Sequence, residues 1–182
     1  MITTKYRIAG FFWLMTFVTG SLALAGGGKT RVGIVVNLAA GLFYLAATVY
    51  VYDMLKPVNR NLSLLAAFFS LAGCAISGVS AALQLAQSTE VSRQSFYVIH
   101  VFFGLHCLLI GWLILRSTLL PRFVGALMLL AGLGWLTMSF SSLLAPRFGS
   151  SLYPFILMPG MIGELTLCLW LLIAGAKVEV AQ

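Results

Sequence analysis

An all-α bundle of six transmembrane helices, a polytopic integral membrane protein with both termini cytoplasmic, is the fold this sequence predicts, and three observations predict it. Hydrophobic residues make up 61% of the 182 residues and charged residues 8%, against about 25% charged in a typical soluble domain. The apolar residues gather into runs of about 20, the length of helix that crosses a hydrocarbon core about 30 Å thick. Lys and Arg are spread unequally between the two sets of short connections that join those runs. The runs consume nearly all of residues 1–182, which are read as a single transmembrane domain with no room for a separate soluble unit.

The first span runs from Ile8 to Leu24. Lys5 and Arg7 before it, and Ala23-Leu24-Ala25 before Gly26, give it the outline of a signal peptide with a cleavage site. Its apolar run is long for that role, and it is read as a retained first helix. Gly26-Gly27-Gly28-Lys29 ends it, and the second span follows from Val32 to Tyr52. Lys56-Pro57-Val58-Asn59-Arg60-Asn61 makes the next turn, in the residue types that break helices.

The third span, Leu62 to Leu85, carries the clearest packing signal. Ser63, Ala67, Ser70, Cys74, Ser77, Ala81 and Gln84 recur at alternating steps of four and three, so small or polar side chains line one face. Such seams let helix backbones approach closely in lipid, and this one predicts a helix at the centre of the bundle. A polar connection, Gln87 to Gln94, leads to the fourth span, Tyr97 to Leu115. Arg116 to Arg122 leads to the fifth, Phe123 to Ala145, where Gly125, Gly132 and Ser139 repeat the small seam at seven-residue intervals. Pro146 to Pro154 leads to the sixth, Phe155 to Ala174, whose Pro159-Gly160 predicts a kink or a late start.

Orientation follows from the charges. With both ends inside, Lys5, Arg7, Lys56, Arg60, Arg116, Arg122 and Lys177 are cytoplasmic, and Lys29, Arg31, Arg93 and Arg147 are outside. Positively charged loops favour the cytoplasm. The net charge of +7 is therefore a topology signal with some attraction to anionic membrane lipids. Nucleic acid is excluded as a partner, because its binding needs a basic face and these charges stand singly in loops.

Short loops leave the helices and their ends as the place for chemistry. Two ionisable residues, His106 and Glu164, each stand about ten residues inside an apolar run. An ionisable group at that depth costs roughly 2.5 to 3.5 kcal/mol on insertion scales, so it faces the protein interior, has a partner and marks a functional site. Both are candidate catalytic residues: Glu164 as a general acid or base, or else as a neutral acid bonding between helices, and His106 first as a structural hydrogen-bonding residue with Glu164 as its natural partner if the two helices adjoin, a pair that could then transfer a proton. The outer half of the bundle also holds most of the intramembrane polar side chains. Asn37, Ser77, Gln84 and His100 are the candidate ligand contacts, with Thr19, Ser80, Thr137, Ser139, Ser141 and Ser142 at similar depth. Polar groups out of reach of water satisfy one another or line a hydrated cavity, so an outward-facing cavity floored by His106 and Glu164 is expected.

Other chemistries find no support. No G-x-S-x-G, H-E-x-x-H or P-loop motif is present, and four acidic residues provide neither a carboxylate pair for glycoside hydrolysis nor a cluster for magnesium. His100 and His106 stand about 120° apart around one helix and about 9 Å along it, which is no metal clamp. Cys74, Cys107 and Cys168 all fall in spans and read as small packing residues. Trp13, Trp112, Trp135 and Trp170 read as packing or lipid-facing residues. No metal and no cofactor are expected.

Several phrases in combination resemble the bacterial membrane-protein family known as domain of unknown function 4386. They are Tyr6-Arg7-Ile8-Ala9-Gly10, Pro57-Val58-Asn59-Arg60-Asn61-Leu62, Gly104-Leu105-His106-Cys107-Leu108-Leu109-Ile110-Gly111, Leu115-Arg116-Ser117 with Leu120-Pro121-Arg122, Gly132-Leu133-Gly134-Trp135-Leu136, and Gly163-Glu164-Leu165 with Leu169-Trp170-Leu171-Leu172. The resemblance implies a small multi-pass protein of the bacterial inner membrane and carries no activity, substrate or cofactor. Three functions are consistent with the residues: a protein that binds a lipid or other apolar small molecule in the outward cavity; an intramembrane isomerase, hydratase or cyclase using Glu164; and an assembly or transport subunit, as a homo-oligomer or with a membrane partner.

Overall fold

The computed structural model describes residues 2–3, 5–25, 30–87 and 89–177. The predicted connection from Gly26 to Lys29, and Ser88, lie outside them. Seven α-helices carry the described chain: α1 (Lys5–Ala25), α2 (Arg31–Leu55), α3 (Arg60–Leu85), α4 (Thr89–Leu115), α5 (Arg122–Leu144), the short α6 (Pro146–Leu152) and, after one 3-10 turn at Phe155–Leu157, α7 (Met158–Ile173). Five helical segments are long and apolar enough to cross a membrane, drawn from α2, α3, α4, α5 and the 3-10 turn with α7.

Local chemistry sets the boundaries. Thr30 caps α2 by accepting from the Gly33 N–H at 3.0 Å, and Asn59 caps α3 by accepting from Leu62 N–H at the same distance. Short polar side chains satisfy donors that a helix start leaves free. Pro121 precedes α5, and Pro146 opens α6 where its missing N–H costs nothing. The sixth predicted span does start late: the α-helix proper begins at Met158, with Pro159 in its first turn.

Two predicted loops are helical instead. Most of Gln87 to Gln94 belongs to α4, which starts at Thr89. One of its polar residues is buried by pairing: Ser92 of α4 meets Ser80 of α3 with 3.0 Å between hydroxyls, while Arg93 and Gln94 stay exposed. Pro146 to Pro154 contains α6, which folds back on α5 because Gly149 lets the backbones touch. A Cβ on Gly149 would stand 2.7 Å from Ser142 Cα.

The long helices form a closed ring. Each packs on its neighbours in the order α1, α2, α3, α4, α5, α7 and back to α1. The seam of α3 does not make it central, as the sequence predicts; α3 is one stave of the ring and turns the seam inward. There Ser63 donates to Tyr52 O, Ser70 meets Thr48 at 2.7 Å, and Cys74 donates to Gly41 O. The seam of α5 faces α4 through two reciprocal glycine contacts, Gly125 with Gly111 and Gly132 with Gly104. At each, a Cβ would fall within 3.1 Å of the opposite backbone.

Both ends of the described chain meet at one end of the ring. Residues Ile2–Thr3 (β1) pair antiparallel with Ala176–Lys177 (β2), and Arg7 donates to Ile173 O at 2.9 Å. Asp53 accepts from both Lys5 and Lys56 at that end. The interior beside it is apolar and close-packed, with Met54, Ile114, Val124, Met128, Leu167 and Leu171 all within 2% exposure. Outside, the pattern reverses: Leu22, Val35, Leu42, Val49, Phe68, Leu130 and Leu133 are each more than half exposed. A continuous apolar exterior of this kind belongs in lipid, so the chain is a multi-pass helical membrane protein.

Candidate functional site

Glu164 projects from the middle of α7 into the ring, and glycines make its position possible. One turn before it, Gly160 has no Cβ to fend off the α5 indole of Trp135; a Cβ there would lie 2.3 Å from the ring. Immediately before it, Gly163 brings α7 against α5, since a Cβ would lie 2.4 Å from Leu127 O. Close helix approach thus delivers two aromatic donors to one carboxyl. Trp135 Nε1 donates to Glu164 Oε1 at 2.8 Å, and Trp13 Nε1 of α1 donates to Oε2 at 3.2 Å. The Cys107 thiol of α4 reaches Oε1 at 3.8 Å.

Tyr44 of α2 closes the set. Its ring packs on Trp13 at 5.3 Å between centroids and on Phe103 at 4.8 Å, and its buried hydroxyl has no hydrogen-bond partner. Four helices, α1, α2, α4 and α5, therefore converge on Glu164 of α7, which is 8% exposed.

His106 stands behind this group and is fully buried. Its Nδ1 lies 2.8 Å from Ala66 O of α3. A carbonyl only accepts, so Nδ1 carries the proton and Nε2 is left as the other ring position, without a partner. The predicted His106–Glu164 hydrogen bond is not formed: the α4 face that reaches Glu164 carries Cys107, while the imidazole turns to Ala66 O of α3 and the Trp13 and Tyr44 rings pack against it.

A cavity of about 1020 Å³ lies between Glu164 and the end of the ring opposite the termini. The residues singled out from depth, Asn37, Ser77, Gln84 and His100, all line it together with Glu164; His106 does not. Its inner part is aromatic. The His100 ring packs at a tilt against Trp135 at 4.7 Å and Phe96 at 4.2 Å between centroids, and donates through Nδ1 to Phe96 O at 2.6 Å. Gln87, Ser92 and Arg93 stand toward its mouth. A second recess of about 580 Å³ opens between α4, α5 and α6 at the same end.

Sequence reasoning missed Trp13, Trp135 and Tyr44 as members of the site. A signal existed for the first two: a buried indole N–H needs an acceptor, and the only carboxyl at mid-span is Glu164. Among the described residues, no three His, Cys, Asp or Glu side chains are grouped to hold a metal.

The model of the family described as "Domain of unknown function (DUF4386)" matches residues 8–89 and 80–175. An uncharacterized protein of Archaeoglobus fulgidus is 28% identical over 135 residues, covering 74% of this chain and 78% of the relative. No solved structure gives a significant match.

Proposed function

The chain belongs to the family of domain of unknown function 4386, and from that premise, which supplies a membrane scaffold and no activity, we propose that it binds a lipid or other apolar small molecule inside the bundle. The observation that carries the reading is the cavity of about 1020 Å³ that ends on the buried carboxyl of Glu164. Its volume suits a small ligand, and its wall combines apolar and aromatic surface with a few placed polar groups, as ligand sites do. In this reading α1 also spans, giving six crossings with both termini cytoplasmic, and the cavity opens outward from the inner membrane of a bacterium. The preponderance of Lys and Arg at the end that holds the termini supports that orientation. Asn37, Ser77, Gln84 and His100 touch the ligand, and Glu164 fixes its polar end; His106 supports α3 from behind.

The intramembrane-enzyme alternative has less support, since His106 does not reach the cavity and the titratable groups beside Glu164 are the Cys107 thiol and the Tyr44 phenol, acids too weak to be well matched to a proton relay near neutral pH. Native mass spectrometry with lipid extraction tests the proposal. The wild type retains a specific molecule, and Gly41→Leu, which fills open space on the cavity wall, releases it without unfolding. Ligand-free wild type purified from gently extracted membranes overturns it and favours a partner-dependent subunit.

A further inference from the structure

The proposed cavity has a chemical bias that narrows its ligand. Glu164 is its only acidic residue, and every group bonded to that carboxyl is neutral: two indole N–H donors and one thiol. The ion pairs among the described residues, Lys5 and Lys56 with Asp53, stand at the far end of the ring. Arg93, the cavity's one basic side chain, is two helical turns closer to the mouth than His100, about 10 Å along α4. When ionised, the Glu164 carboxyl, at 8% exposure, has no cation among the described residues as counter-ion, a state that low dielectric penalises strongly.

The wall around it presents aromatic faces. Tyr44, Phe103 and Trp135 surround the inner end, with His100 packed at a tilt against Trp135. Ring faces are negative and attract cations, and an aromatic cage closed by an acid is suited to an ammonium group. The Tyr44 hydroxyl, buried on the same wall with no hydrogen-bond partner, offers one further acceptor. Beyond the cage the cavity continues toward the mouth along a mixed wall, where Ile99 and Phe96 offer apolar surface beside Ser77, Ser80 and Gln84.

We infer that the ligand class is an amphiphilic amine, its ammonium head seated among Tyr44, Phe103 and Trp135 against Glu164 and its apolar body lying toward the mouth. This rests on the cavity-binding reading. The head supplies the missing counter-ion, while the two indoles hold the carboxyl in place.

The test uses the purified full-length protein in nanodiscs, with tryptophan fluorescence as the readout because Trp135 lines the cavity and Trp13 bonds its floor. Dodecylamine, dodecanol and dodecanoate share one apolar chain and differ in head charge. Dodecylamine is expected to bind at least about tenfold more tightly than either. Glu164→Gln removes that preference, and Gly41→Leu weakens all three. Equal binding of dodecanol, or preference for dodecanoate, overturns the amine assignment and leaves the cavity reading intact. Absence of saturable binding by every probe, with Gly41→Leu indistinguishable from wild type, overturns both. The comparison among probes is made on the wild type, so it stands even where Glu164→Gln folds poorly.

Discussion

Trp135 reaches Glu164 across the bare face of Gly160: the indole of α5 lies where a Cβ of α7 would be and donates to the carboxyl at 2.8 Å. Packing and polarity are thus one feature, since the hydrogen bond exists only because a residue one turn away has no side chain. Gly160→Ala places a methyl 2.3 Å from the ring, too close to be absorbed without moving the indole. Overpacking of this kind costs about 1 to 3 kcal/mol. The expected result is a lowered Tm in detergent together with a shifted tryptophan emission, read by thermal unfolding and fluorescence. An Ala variant as stable as wild type would show that the indole has another seat.

Glu164→Gln conserves shape but not hydrogen bonding. Both carboxyl oxygens accept from indoles, and an amide can present an acceptor to only one of them. Its NH2 then faces an N–H. A buried donor left without an acceptor costs about 1 to 3 kcal/mol. Trp135→Phe removes one of the two opposed donors, so the double variant should be less destabilised than the two single changes added together, by about 0.5 to 3 kcal/mol. Strict additivity in a double-mutant cycle would mean that the amide finds a different partner.

Much of this architecture was legible in the chain, for identifiable reasons. Apolar run length placed α2, α3 and α5 within a few residues, because Thr30, Asn59 and Pro121 mark helix starts by local chemistry. The start of α4 was not legible: Gln-Ser-rich sequence reads as loop, and the tertiary Ser80–Ser92 contact that ties this turn to α3 is invisible in the chain. Depth brought Asn37, Ser77, Gln84, His100 and Glu164 to one cavity, since polar residues in the same half of a narrow ring have little room to avoid one another. Which way His106 points was beyond reach. That depends on the rotational setting of α4, and Gly104 and Gly111, which fix that setting against α5, reveal it only through their partners Gly132 and Gly125.

His106 and Glu164 should therefore separate experimentally. His106 bonds a backbone carbonyl of α3 and is absent from the cavity wall. His106→Asn keeps a donor near the Nδ1 position, and His106→Ala removes both donor and volume. Thermal unfolding should rank wild type above Asn and Asn above Ala, the last losing several kcal/mol as other large-to-small core changes do, about 2 to 5. Ligand affinity of whichever variants fold should stay within about twofold of wild type, well under the roughly 1.4 kcal/mol of a tenfold change. A folded His106→Asn protein that has lost its ligand would place His106 in the site after all.

The α4–α5 contact makes a separate prediction, because it sets the position of Trp135 from a distance. Gly132 lies three residues before that indole on α5, and a Cβ there would sit 2.7 Å from Gly104 O and 2.6 Å from Leu108 Cγ. Gly132→Val must push α4 and α5 apart, and it carries Trp135 with it, so both stability and ligand retention should fall. Gly78 on α3 is the control, because a Cβ there meets nothing within 4 Å. Gly78→Ala is expected to be neutral or to stabilise by up to about 1 kcal/mol through helix propensity. Thermal unfolding and native mass spectrometry of the two variants side by side distinguish the cases: equal losses would mean that glycine is needed along these helices for reasons other than close approach, and a loss confined to Gly132→Val ties the site to the seam that positions it.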